Sequence, residues 1–124
     1  MDDFLRGYLE CAFWLSAGLD ETGDTSLDDA GFTFDDIAPS ALADAAEDCA
    51  QFRAGNASDL ARYEELSLRD AASAGHDFWL SRNGHGAGFF DRGEDPVFDR
   101  LQDAARSWGE SNVCVGDDGK VYFE

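Results

Sequence analysis

From residue 7 to residue 52 the chain has no lysine or arginine, yet eleven carboxylates fall there: Glu10, Asp20, Glu21, Asp24, Asp28, Asp29, Asp35, Asp36, Asp44, Glu47 and Asp48. Whatever this stretch folds into must hold those groups at a water-facing surface, because an unpaired carboxylate is too costly to bury. The whole chain carries a net charge of −18, of which this stretch supplies −11 and the remaining 78 residues −7. A compositional bias of the halophilic kind would spread the acids evenly. The missing bases argue for a regional feature. Such a charge repels nucleic acid and acidic membranes and favours basic partners.

The magnitude is comparable to that of a nucleic acid. At one phosphate charge per roughly 1.7 Å of duplex axis, eleven carboxylates match about 19 Å of DNA. A fourteen-residue helix spans about 21 Å. Carboxylates gathered on one face would therefore approach the charge density of a duplex.

At 124 residues and 44% hydrophobic content, with ten Phe and three Trp, the chain has the material for one domain, 1–124, with a core of its own. It divides into an acidic helical and loop half, 1–73, and a hairpin-helix-hairpin half, 74–124. The start, Met1-Asp2-Asp3-Phe4-Leu5-Arg6, lacks a basic secretory leader, and the apolar run 9–15 is too short to span a bilayer, so a cytoplasmic location is expected. Cys11, Cys49 and Cys114 are an odd number without a C-x-x-C pair and read as buried small hydrophobes.

Helical spacing runs from 3 to 17 through Leu5, Tyr8, Leu9, Ala12 and Phe13, with Asp2 or Asp3 as cap. Residues 18–38 read as an acidic loop with a short strand near 31–34. A second helix covers 40–52, where Leu42, Ala45, Ala46, Cys49 and Phe52 oppose Asp44, Glu47 and Asp48. Those three acids repel one another at i, i+3 and i, i+4, which points to a ridge in use or to a high-salt setting. A third helix is expected over 58–72. Aromatic-rich runs at 76–81 and 87–91 flank Asn83-Gly84-His85-Gly86 and read as a hairpin. Asp95-Pro96 opens a fourth helix through Val97, Phe98, Leu101, Ala104, Ala105 and Trp108, and Gly109 ends it. Residues 113–115 and 120–123 flank Gly116-Asp117-Asp118-Gly119, a second hairpin. The expected class is α+β, three or four helices packed on an antiparallel sheet of three to four strands.

Chemistry is thin. His76 and His85 flank the expected turn near Asp77 and Asp91, but their spacing fits no zinc motif, and Gly-rich turns use such side chains to satisfy backbone groups. The cysteines lie among apolar residues, away from the polar setting a nucleophile needs. Ser81 and Ser107 lack an elbow motif. The acids from Asp20 to Asp29 do not supply the Gly and Glu of an EF-hand frame. Phe78, Trp79, Phe89 and Phe90 could stack bases only in a cationic groove, which this composition cannot furnish. They read as core, and Arg82 and Arg92 as local partners of Asp77 or Asp91. No enzyme activity, metal or cofactor is expected.

The run Gly75-His76-Asp77-Phe78-Trp79-Leu80-Ser81-Arg82-Asn83-Gly84-His85-Gly86-Ala87-Gly88-Phe89-Phe90-Asp91-Arg92, with Val115-Gly116-Asp117-Asp118-Gly119-Lys120-Val121-Tyr122, resembles a family of small acidic proteins from bacteriophages, prophages and plasmids. The likeness extends to Asp35-Asp36-Ile37-Ala38-Pro39. It implies a mobile-element origin and action in the host cytoplasm, and it carries over no catalytic or binding residue. By analogy of class, such proteins include host-defence inhibitors, anti-CRISPR proteins among them. The expected function is inhibition of a CRISPR effector or restriction enzyme by a DNA-mimicking surface of Asp20, Glu21, Asp24, Asp28, Asp29, Asp35, Asp36, Asp44, Glu47 and Asp48. The alternative is a phage structural or regulatory protein that pairs, as a homodimer or with a partner, through its first helix or the aromatic hairpin.

Overall fold

The structure is a computed structural model that describes residues 1–15, 26–84 and 86–123. Helix α1 (Asp3–Leu15) is capped by Asp2, whose carboxylate accepts from the Leu5 amide at 2.8 Å. Seven of its apolar side chains, from Phe4 to Phe13, are buried, which makes it the centre of the fold. After the turn at 27–31, a single 3-10 turn (Phe34–Asp36) leads through Ile37 and Ala38 into helix α2 (Pro39–Gly55), where Pro39 takes the first-turn position that tolerates it. Helices α3 (Ala57–Ser67) and α4 (Ala71–Arg82) follow. A second 3-10 turn (Phe89–Asp91) then precedes α5 (Pro96–Arg106).

Strands β1 (Val113–Val115) and β2 (Val121–Phe123) pair antiparallel with Cys114 opposite Tyr122, closed by a tight turn in which the Gly116 amide donates to the Lys120 carbonyl. The sheet is tied to the acidic half by an isolated bridge between Ile37 and Val121 and by the Ala38 amide, which donates to the Val121 carbonyl at 2.9 Å. One hydrophobic cluster draws on residues from Phe4 to Val121. At its middle Phe78 lies stacked on Phe52, ring centroids 4.1 Å apart, with Tyr8 and Trp108 against it.

The class is α+β and mostly helical, with five helices and a two-stranded antiparallel sheet among the described residues, where three or four of each were expected. The stretch 76–81, expected as a strand, is the core of α4. From Ala74 to Arg82 every residue except His76 is buried. A helix enclosed on all sides shows no amphipathic period, and its short aromatic run reads as a strand. Its start signal is nonetheless present, since the Asp70 carboxylate caps the helix by accepting from the Ser73 amide. The partner run 87–91 is irregular chain ending in a 3-10 turn, and 31–34 forms no strand but leads into the first 3-10 turn. The half 74–124 therefore runs helix, turn, helix, hairpin.

Helices α1 and α4 cross at unusually short range. A Cβ added at Gly7 would run into the Ala72 carbonyl, and one added at Gly75 into the Phe4 carbonyl. Only glycine admits so close an approach of two backbones.

Candidate functional site

Helix α2 presents Asp44 and Glu47 as exposed side chains, with Asp48 half-buried on the same side. The three line a cleft of about 290 Å³ together with Tyr8 of α1, Arg82 of α4, Glu110, Ser111 and Phe123. Asp48 is the neutralised member: the buried Arg82 guanidinium donates to it at 3.2 Å, and also to the Tyr8 hydroxyl, the Gly109 carbonyl and the Trp108 carbonyl. Arg82 lies over the Phe78 and Trp108 rings as well. One arginine thus ties the C-terminal end of α4 to α1, α2 and the end of α5. Burial pushes the Tyr8 phenol well above its ordinary value, so it stays a neutral hydroxyl in this network.

This arrangement relieves part of the repulsion along α2. Asp48 is paired, and Gln51 donates to Glu47 at 2.9 Å. Asp44 and Glu47 make no ion pair with a described residue, and neither does Glu110. Glu110 comes from the other half of the chain, and nothing in its spacing marked it. The acidic lining of this cleft therefore draws on both halves of the chain.

The remaining sequence-predicted acids are placed separately. Asp28 and Asp29 lie exposed in the turn at 27–31, where the Asp29 amide donates to Ser26 Oγ. Asp28 lines a different concavity, with Glu10, Trp14 and His76. Asp35 and Asp36 occupy the 3-10 turn just before α2, and Asp36 caps it by accepting from the Thr33 amide at 2.8 Å. None of these four has an ion pair with a described residue. Asp20, Glu21 and Asp24 lie outside the described residues. Four arginines are paired with other acids: Arg6 with Asp3, Arg53 with Asp2, Arg62 with Glu65 and Asp95, Arg100 with Asp59.

The residues of the 75–92 run act mainly as a lock. Asp77 has no solvent exposure. It accepts two-pronged bonds from Arg92, 2.6 Å to Oδ1 and 3.0 Å to Oδ2, and a third from the Tyr63 hydroxyl at 2.6 Å. Burial and the neighbouring Asp77 push the Tyr63 phenol above its ordinary range. Ser81 Oγ accepts from the Phe89 amide, and Asn83 spans the Trp79 carbonyl and the Ser111 amide. These bonds hold α4 to α3, to the segment that follows it and to the chain after α5.

His76 sits on α4, not at a hairpin, and His85 lies outside the described residues. Cys11 and Cys49 are buried, with the Cys11 thiol pushed up to about 12 and the Cys49 thiol higher still by loss of hydration, which leaves neither as a thiolate near neutral pH. Cys114 is half-buried. Among the described residues no group of three or more His, Cys, Asp or Glu side chains is gathered to hold a metal, and no helix is long and apolar enough to cross a membrane. No family model, curated protein or solved structure matches the chain.

Proposed function

We propose that this protein inhibits a nucleic-acid-binding defence enzyme, a CRISPR effector or a restriction enzyme, by placing an acidic surface where the phosphates of DNA would lie. The observation that carries the reading is the state of the carboxylates around the α2 cleft. Asp44, Glu47 and Glu110 share one cleft whose lining cation, Arg82, is paired with Asp48, while most other arginines are committed to pairs elsewhere. Asp35 and Asp36 extend the charge at the N-terminal end of the same helix. Uncompensated carboxylates raise the association rate with a cationic channel and make the complex salt-sensitive. The resemblance of the 75–92 run to phage proteins supplies the setting.

The test is competition. A panel of purified restriction enzymes and Cas effector complexes is assayed for duplex binding by mobility shift, with and without the protein, at low and high salt. The expected result is displacement of DNA from at least one enzyme at low salt, lost at high salt and lost with the triple variant Asp44→Asn/Glu47→Gln/Glu110→Gln. Displacement that survives the triple variant overturns the mimicry.

Of the two contact surfaces the alternative offers, the first helix and the aromatic 76–91 region, the packing disfavours the first. The apolar face of α1 is spent on the core, and of its large apolar side chains Trp14 alone stands exposed.

A further inference from the structure

The concavity that Asp28 shares with α1 has a chemistry the α2 cleft lacks. It measures about 550 Å³, within the range of small-ligand sites, and is walled by Phe13, Trp14, Phe32 and Phe34. Trp14 is 63% exposed at the end of a helix whose other apolar residues are largely buried, and its ring stands 6.1 Å from the His76 imidazole. Phe34 meets Phe13 edge to face at 5.3 Å, which fixes that part of the wall. Thr33 and two carboxylates, Glu10 of α1 and Asp28 of the turn, also line it, and neither carboxylate forms an ion pair with a described residue. Half-burial holds His76 below its ordinary value, so near neutral pH the imidazole brings no positive charge to the site.

This combination selects its ligand by exclusion and by fit. An anion would meet two carboxylates, and a neutral apolar group would strip their water without replacing it. A cation gains from both components, since aromatic faces attract positive charge and carboxylates accept its N–H groups. Guanidinium suits the site better than ammonium. It is planar, stacks on an indole, sheds water more easily and donates in pairs.

We propose that this concavity is a receptor for an arginine side chain of a basic partner protein, stacked on Trp14 and paired with Glu10 and Asp28. The inference rests on the reading of a basic partner given above, but on residues other than those of the α2 cleft.

The probe is blocked arginine amide, titrated into the intact protein while the Trp14 indole N–H is followed by NMR, its signal identified from the spectrum of Trp14→Phe. A saturable shift is expected. Blocked citrulline amide, of the same shape without the charge, should bind at least about tenfold more weakly, and Glu10→Gln/Asp28→Asn should weaken arginine by a similar factor. Asp44→Asn/Glu47→Gln should change arginine binding by less than about twofold, because exposed charges at a distance are screened. The assignment is overturned by any of four outcomes: no saturable shift, citrulline binding as well as arginine, lysine amide binding as well as arginine, or the α2 variant costing as much as the Glu10/Asp28 variant. Arginine binding that persists while every nuclease assay fails overturns the mimicry alone, and the converse overturns the receptor alone.

Discussion

The residue that most depends on its neighbours is Asp77, a fully enclosed carboxylate between Arg92 and Tyr63. Removing one partner of such a pair leaves the other charge uncompensated, so Asp77→Ala should cost about 3–5 kcal/mol. Urea unfolding followed by circular dichroism checks this, and a loss below about 1 kcal/mol would mean that water or Asp91 takes over the arginine. His76 gives a pH dependence of definite sign. Its folded value lies below the ordinary 6.5 because burial penalises the imidazolium, so the unfolded chain binds the proton more readily. Stability is therefore full above about pH 6.5 and declines as pH falls toward the lower folded value. His76→Gln should flatten this part of the curve. Unfolding midpoints that change with pH equally in both proteins between about pH 5 and 7 would refute it.

At the level of elements, the α1–α4 crossing is the least tolerant contact. Gly75→Ala puts a methyl group into the Phe4 carbonyl, and overpacking of this kind costs roughly 1–3 kcal/mol or more when the obstacle is backbone. Thermal unfolding should show the loss, whereas Gly55→Ala, with open space around it, should be neutral or stabilising. Elements with a wet face and a dry face were legible in advance. The spans expected for α1, α2 and α5 fall close to those observed, as does the C-terminal hairpin, because each carries a helical period, a cap or a Gly-rich turn. α4 was not legible, since a helix buried around nearly its whole circumference carries little period to read. The candidate site was legible in the same partial way. Asp44, Glu47 and Asp48 stood out by helical spacing, but Glu110 and the discharge of Asp48 by Arg82 depend on contacts across 34 residues or more of sequence, which no local pattern encodes.

For the molecule as a whole, a net charge of −18 implies self-repulsion that folding must overcome. Screening weakens that repulsion once the Debye length falls below the spacing of the charges, about 10 Å at 0.1 M salt. The melting temperature should therefore rise as sodium chloride is raised from about 20 mM to about 500 mM. A melting temperature that falls over that range would show that the arginine pairs outweigh the repulsion. The same salt should abolish any displacement of DNA from a target enzyme, so stability and inhibition should move in opposite directions. The backbone contact between α1 and α4 also has a consequence for synthesis. Of the two helices α1 leaves the ribosome earlier and is the most apolar of the described helices, and the surface that receives it, α4, ends at Arg82. At about 5–20 residues per second, α1 must wait roughly 3–13 s for its partner. During that interval Phe4, Leu5, Leu9 and Phe13 are bare, and a nascent-chain chaperone has its opportunity there.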